Sequence, residues 1–412
     1  MDKFWIFLSC LISRILFKAL SGYDNFELFG DAKRYDLLSD GILRGEGNMD
    51  IVAYLAAPLY PYLLAGLKTL SPLHWQWLAV AFQFLLVSYS AVCIYQLGKN
   101  IFDNRWGAII SSVIYITYPL TLWYNFTLSQ ETCFQAFLII FCHHFISFQK
   151  KKELKSLLLA TTFFSLSILT KSHITLLLPF LFLYFLYVRQ IKAALTFIAI
   201  ILIFSLPHGL KNLKQHDVYT LSSHGNATFF LLGYSDYTYD CILHERGTPG
   251  RFAAQGCVPH FIFDRTFEFE KHGLVNQLSV KKRNKKRFQM ALEWINENPR
   301  KVLELKSYGL KRFILPGLDY QIFNFKYWLM SFIAGLLLYL PGYYGLYQAL
   351  KSPTWTHLLM VSLILICAAI FILLIPVNRF RIITMEPLLC VYAGQTYYSV
   401  LTQVFKNFRA PD

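Results

Sequence analysis

Between Trp75 and Leu97 the chain carries no charged residue, and a stretch of that length is what an α-helix needs to cross about 30 Å of hydrocarbon. Nine more apolar runs follow, all but the first free of charged residues: Phe4–Leu20, Trp106–Trp123, Thr132–Phe148, Ser156–Leu169, Ile174–Val188, Ala193–Pro207, Tyr327–Leu350, Trp355–Val377 and Pro387–Val404. Several fall short of about 20 residues, so their ends are read to within a few positions. Of the 412 residues, 55% are hydrophobic and 15% are charged, whereas about a quarter are charged in a typical soluble domain. One soluble core cannot bury so much apolar surface. The expected fold is an all-α polytopic membrane protein with about ten transmembrane helices.

Phe4–Leu20 contains Arg14 and Lys18 and is followed by no small-residue cleavage site, so it reads as a retained anchor rather than a signal peptide. The net charge of +15 would suggest nucleic acid in a soluble protein. Here it follows from lysines and arginines that gather in cytoplasmic loops, and no nucleic-acid partner is expected.

Those basic residues orient the chain. Lys3, the Lys99–Arg105 link, the QKKKELK run from Gln149, Arg189 with Lys192, Lys351, and Lys406 with Arg409 share one side if the spans alternate. That side is expected to be the cytoplasm, with both termini in it. The opposite face receives Ser21–His74, Tyr124–Glu131, Thr170–His173, His208–Lys326 and Asn378–Glu386. Three regions follow: an N-terminal transmembrane module over residues 1–207, with its first outer loop at 21–74; a larger extracytoplasmic loop domain at 208–326; and C-terminal transmembrane helices at 327–412. In the first outer loop, Ala32, Tyr35, Leu38 and Ile42 recur at helical spacing between Asp31 and Leu43, with Lys33, Arg34, Asp36 and Asp40 opposite. This predicts a helix lying in the membrane interface, and Pro58–Leu70 predicts a second.

Chemistry-bearing residues collect on the outer face. In GDAKRYD, Asp31 stands where a loop becomes an amphipathic helix; it is either a helix cap or a general base for an acceptor hydroxyl. Asp36, in the same run, is a secondary acid candidate should Asp31 not be the base. Glu131 opens the fourth span from the outside, either as an acid suited to a first helical turn or as a second acid candidate. Lys171, in LTKSHITLLLP, is a lysine on the wrong side for anchoring. The same holds for Arg379 and Arg381 in NRFRIITMEP, where planar guanidinium groups suit a phosphate. Arg34 is a weaker fourth phosphate ligand. The KKRNKKR run from Lys281 reads as a solvated helix face.

Cys10, Cys93, Cys133, Cys142, Cys367 and Cys390 fall in predicted membrane helices and read as small packing residues. Cys241 and Cys257 share the large outer loop, where a disulfide between them is expected. No CxxC or Cys/His metal spacing occurs. Nothing specifies a cofactor: a divalent metal shared by Asp31 and Glu131 is compatible with the pattern but not demanded by it.

The order of segments resembles the C-type superfamily of membrane glycosyltransferases, especially bacterial relatives of protein O-mannosyltransferases and of the lipid A aminoarabinose transferase. GDAKRYDLLSDGILRGEG, APLYPYLLAGL, LSQETCFQAFLII, LTKSHITLLLP, LPHGLKNLKQHDVYTLSSHG with FFLLGYSD, ENPRKVLELKSYGLKRF and NRFRIITMEPLL carry the resemblance. It implies a sugar donor on a polyprenyl phosphate, inversion at the anomeric carbon, Asp31 as base, and residence in a bacterial inner membrane. Protein mannosyltransferases have an Asp-Glu pair at this place, and Ala32 follows Asp31 here. A protein acceptor is thereby less favoured, and lipid and glycan acceptors stay open beside it.

The charges suit such a transfer. Lys171, Arg379, Arg381 and Arg34 would stabilise the leaving phosphate, and Asp31 would take the acceptor's proton. Two other classes compete. A lipid-linked sugar transporter or flippase would show repeat symmetry, which this chain lacks. A polysaccharide polymerase or ligase shares the donor type and is separated mainly by the family segments.

Overall fold

Prolines, glycines and short polar links decide where the helices of this chain end. The computed structural model describes residues 1–20, 31–45, 57–223, 226–243, 278–318, 324–374 and 378–409. Helices α1 (Asp2–Leu20), α2 (Asp31–Leu43), α3 (Leu59–Leu70) and α4 (Trp75–Phe102) come first. Then follow α5 (Arg105–Thr117), α6 (Pro119–Phe126), α7 (Gln130–Lys151), α8 (Leu154–Thr170), a 3-10 segment (Ser172–Leu177), α9 (Leu178–Tyr187) and α10 (Ile191–His216). The remainder is α11 (Asn226–Gly233), α12 (Asp236–Leu243), α13 (Val280–Glu297), α14 (Pro299–Ile314), α15 (Phe325–Lys351), α16 (Trp355–Leu373) and α17 (Asn378–Arg409). No strand occurs among the described residues.

Both helices expected in the first outer loop form, at α2 and α3, and α2 buries Tyr35 and Leu38 as its spacing predicts. Other expectations need correction. The single span Trp106–Trp123 is two helices, α5 and α6, bent by 52°. Pro119 has no N–H to give, and it holds Tyr118 in extended backbone at ψ 115°. The helix expected to stop at Pro207 runs on to His216, and the outer segment expected at Asn378–Glu386 is the opening of α17.

By length and composition, five described helices can each cross a bilayer, namely α4, α7, α10, α15 and α16, with a sixth if the bent pair counts as one. The other expected spans, α1, α8, α9 and α17, are shorter or carry charges inside their length. In the most apolar stretch of α7, 89% is buried, against 28% for α10 and 33% for α15. Thus α7 is central and the others show apolar surface outward. Helix α17 packs against α4, α5, α7, α15 and α16, so residues near the C-terminus complete the core that the N-terminal half begins. All six cysteines expected to pack in helices are buried and free.

One end of the bundle gathers the lysine-rich links. Arg105 grips Asp2 with two bonds of 2.7 Å, Lys150 donates to Asn100 O, and the Tyr187 and Trp355 rings meet at 4.9 Å. The other end carries α2, α3, Glu131 and Lys171. Helices α11–α14 form a separate cluster around Leu231, Tyr234, Trp294 and Leu305. Lys306 ties that cluster to α16, donating to Gly233 O at 3.0 Å and to Leu373 O at 3.1 Å, with its ammonium 3.7 Å from the Tyr234 ring centre. Burial pulls this ammonium down to about 7.

Where α17 crosses α5, glycine permits the contact. A Cβ on Gly394 would collide with the Ser111 hydroxyl and backbone nitrogen, and would lie 2.6 Å from Gly107 O. Gly394→Ala should therefore destabilise the solubilised protein by about 1–3 kcal/mol through overpacking, read as a lower midpoint of thermal unfolding. A parental midpoint would mean that the two helices are not so closely apposed.

Candidate active site

The acids and bases singled out on the outer face fall into three groups. The first is on α2 and α3. Asp31 lies in the first turn of α2, where a carboxylate complements the positive helix end. It is about a quarter exposed, and Arg34 Nη2 lies 3.2 Å from its Oδ1, one turn along the same helix. One turn further, Asp36 and Asp40 each hold Lys68 of α3 at 2.5 Å. Lys68 is itself buried, with its ammonium 4.7 Å from the Trp75 ring centre. Asp36 therefore fastens α2 to α3 and is not the open second acid expected of it. Sequence reading overlooked Lys68, although a lone lysine in register with Tyr60 and Leu64, on the face that α3 buries, signals a partner of opposite charge.

The second group is a buried ion pair. Glu131, in the first turn of α7, and Lys171, in extended backbone just after α8, meet at 2.9 Å with side chains 2% and 5% exposed. The Lys171 ammonium lies 5.2 Å from the Phe380 ring, and His173 packs edge-on to the same ring. Two residues read separately, as an acid and as a phosphate ligand, are thus brought together. Glu131 also neighbours the buried Tyr60, whose ring meets Tyr35 of α2 at 5.3 Å. The pair and the Asp31 helix share one packed surface.

The third group surrounds Arg381. The expected two-arginine phosphate grip is not what Arg381 builds. It is fully buried, with Nε donating to Glu386 Oε1 at 3.1 Å, Nη1 to Arg312 O at 2.6 Å and to Leu315 O, and Nη2 to Gly317 O at 2.7 Å. The Tyr339 hydroxyl donates to the same Glu386 oxygen at 2.8 Å. Arg381 thus locks the chain between α14 and α15 onto α17. Tyr339 and these carbonyls were invisible in sequence because they come from distant segments, whereas Glu386 stands only five residues along the same motif and was passed over. Arg379 stands in the first turn of α17, and its side chain lies outside the described residues, as do the side chain of Cys241 and all of Cys257.

Among the described residues, no three His, Cys, Asp or Glu side chains cluster as metal ligands. Glu131, one of the two acids considered for a shared metal, is held by the Lys171 ammonium.

Beyond the 3-10 segment that starts next to Lys171, a groove of about 310 Å³ opens between α9 and α10. Phe182, Phe185, Phe197, Ile201 and Leu221 line it. Near its Leu221 end, the Ser172 and Ser223 hydroxyls form a hydrogen bond at 3.1 Å. An apolar trough thus ends near a polar seam, with one 3-10 segment between it and Lys171.

Removing one member of the Glu131–Lys171 pair leaves the other charge buried, which costs about 3–5 kcal/mol. Lys171→Met should lower stability accordingly. The double variant Lys171→Met, Glu131→Leu should recover most of the loss. Losses that simply add in a denaturation series would show that the two charges do not depend on each other.

Residues 56–210 match the family described as dolichyl-phosphate-mannose-protein mannosyltransferase. No curated protein matches the sequence. Among solved structures, the archaeal oligosaccharyltransferase AglB from Archaeoglobus fulgidus, in complex with an inhibitory peptide and a dolichol-phosphate, has a similar fold, with a TM-score of 0.54 and 13% identity. The alignment covers 100% of this chain and 52% of that one, so the chain spans about half its length. The family match over residues 56–210 and the similar fold agree with the resemblance to the C-type superfamily of membrane glycosyltransferases read from the sequence.

Proposed function

We propose that this protein transfers a sugar from a polyprenyl-phosphate carrier to an acceptor hydroxyl at the extracytoplasmic membrane face, with inversion at the anomeric carbon. The observation that carries the reading is the contrast among the three acids. Glu131 is buried against Lys171, and Asp36 is held by a lysine of another helix. Asp31 stays about a quarter exposed at the head of α2, beside Arg34 of its own helix. An incoming acceptor can reach a carboxylate that is exposed in this way.

In this reading the acceptor hydroxyl gives its proton to the Asp31 carboxylate as its oxygen bonds the anomeric carbon. The bond from that carbon to the phosphate oxygen breaks on the opposite side, and polyprenyl phosphate leaves. Charge builds on the phosphate as it leaves, so cations held in place stabilise the transition state more than the ground state. Lys171 and Arg379 are assigned that role, with Arg34 beside the base. Arg381 is assigned to holding the nearby chain in shape. The α9–α10 groove suits an isoprenoid tail: it is apolar, and one 3-10 segment, on the order of 10 Å, separates it from Lys171.

The dolichol-phosphate bound by the archaeal enzyme belongs to the same chemical class as this donor. With the lysine-rich end of the bundle in the cytoplasm, both termini face inward, residues 208–326 face outward, and Cys241 and Cys257 pair in that outer region. Lipid, glycan and protein hydroxyls all fit as acceptors.

The test uses purified protein, a radiolabelled polyprenyl-phosphate sugar and candidate acceptors. Asp31→Asn preserves size, and its side-chain oxygen still serves a helix start. It should insert and fold normally while turnover falls by about 10²–10⁴-fold, the usual contribution of a general base. Near-parental transfer by Asp31→Asn would remove Asp31 from the mechanism.

A further inference from the structure

Arg14, on the first helix, is a buried charge that the proposed chemistry does not use. It is fully buried, and among the described residues no carboxylate lies within ion-pair distance of it. A guanidinium inside a membrane bundle is costly and usually marks a function or a structural demand.

The demand here is the bend between α5 and α6. In an unbroken helix Ile116 O would accept from the N–H of Leu120. The break at Tyr118–Pro119 removes that partner, and within a bilayer no water replaces it. Arg14 Nη1 donates to Ile116 O at 2.5 Å and to Ser13 Oγ at 2.9 Å. Its Nε donates to Asn125 Oδ1 on α6 at 3.1 Å. One side chain therefore holds both arms of the bend.

The contacts continue. Gln83 Nε2, on α4, donates to Asn125 O at 3.0 Å and to Thr127 O at 3.1 Å. Gln83 Oε1 accepts from the Tyr60 hydroxyl of α3 at 2.9 Å. The Tyr60 ring meets Tyr35, one turn along α2 from Asp31, edge-on at 5.3 Å. Arg14, Asn125, Gln83, Tyr60 and Tyr35 are all buried to 1% exposure or less. Moving one link leaves the next without a partner, because none of them can turn to water.

We infer that Arg14 is a positioning residue: through Asn125, Gln83 and Tyr60 it fixes α2, and with it the Asp31 carboxylate, against the bent pair α5–α6. The catalytic meaning of that placement rests on the proposed function, whereas the placement itself does not.

Two readouts test it. Nitroxide labels go on Leu37→Cys of α2 and Val113→Cys of α5, both exposed positions, in a Cys241→Ser, Cys257→Ser background reconstituted in lipid nanodiscs. Their distance distribution is measured by pulsed electron resonance, and turnover is measured beside it. Arg14→Met and Tyr60→Phe should each shift or broaden the distribution. Each should lower kcat by about 10-fold or more while the donor KM stays within about twofold, as expected for a displaced catalytic group.

Arg14→Lys should not rescue, because an ammonium has no planar fork to hold Ile116 O and Asn125 together. The double variant Arg14→Met, Tyr60→Phe should lose no more than the worse single change, since both act on one chain of contacts. Met360→Ala, in the core away from this chain, is the control for general loosening and should leave the distribution unchanged. If Arg14→Met fails to insert, Tyr60→Phe and Gln83→Met carry the same test without altering charge.

An unchanged distribution in the polar variants overturns the inference, as does one displaced equally by Met360→Ala or losses that multiply in the double variant. The distance readout decides this even without turnover. Absence of transfer by the parent protein counts instead against the proposed function.

Discussion

Inside a bilayer every backbone carbonyl freed by a break in a helix must find a donor in the protein, and this chain supplies those donors largely with buried cations. Arg14 takes the carbonyl freed at the α5–α6 bend. Arg381 takes three carbonyls where α14 gives way to the link before α15. Lys306, half-buried in the separate α11–α14 cluster, takes the last carbonyls of α11 and α16 in a similar way. Each is donor-only and reaches more than one acceptor, so a single side chain secures two segments that approach from different directions. The bends these cations stabilise lie around the end of the bundle where the candidate site is found.

That arrangement changes how basic residues on an outer membrane face are to be weighed. A lysine or arginine there violates the charge rule for anchoring, and a phosphate ligand is the attractive explanation. Arg381 shows the alternative, since its donors are satisfied internally by carbonyls and Glu386. Lys171 differs from it. It meets the Glu131 carboxylate at 2.9 Å and lies over the Phe380 ring. In the proposed chemistry, a lysine that gives up a carboxylate for a phosphate keeps its charge compensated in both states. The four donors Arg381 has committed to backbone and Glu386 allow no such exchange without undoing the link before α15.

The acids divide by the same logic. Asp36 and Asp40 share one buried lysine and fasten α2 to α3. Asp31, at the head of the same helix, is held by a neighbour on its own surface. A helix fixed at its middle offers, at its start, a carboxylate that is placed and still about a quarter exposed. Placement comes from Tyr35, Tyr60 and the contacts behind them, none of which touches a substrate in the proposed chemistry.

The sequence by itself determined the class of fold, because apolar runs this long can be satisfied only as helices in a membrane. It also determined the two helices of the first outer loop from the spacing of Tyr35 and Leu38 and from the prolines before α3. The gathering of Asp31, Glu131 and Lys171 at one end was legible too, since alternation of spans and the distribution of lysines both follow from local pattern. Partnership was not legible. Glu131 and Lys171, Asp36 and Lys68, Arg381 and Glu386 with the carbonyls before α15, and Arg14 with the α5–α6 bend were decided by tertiary structure. The period of a helix records which face is apolar, but not which distant segment supplies the atom that a buried charge must meet. A charge in an apolar run therefore announces that a partner exists, and packing alone decides whether that partner is a carboxylate, a broken helix or a substrate.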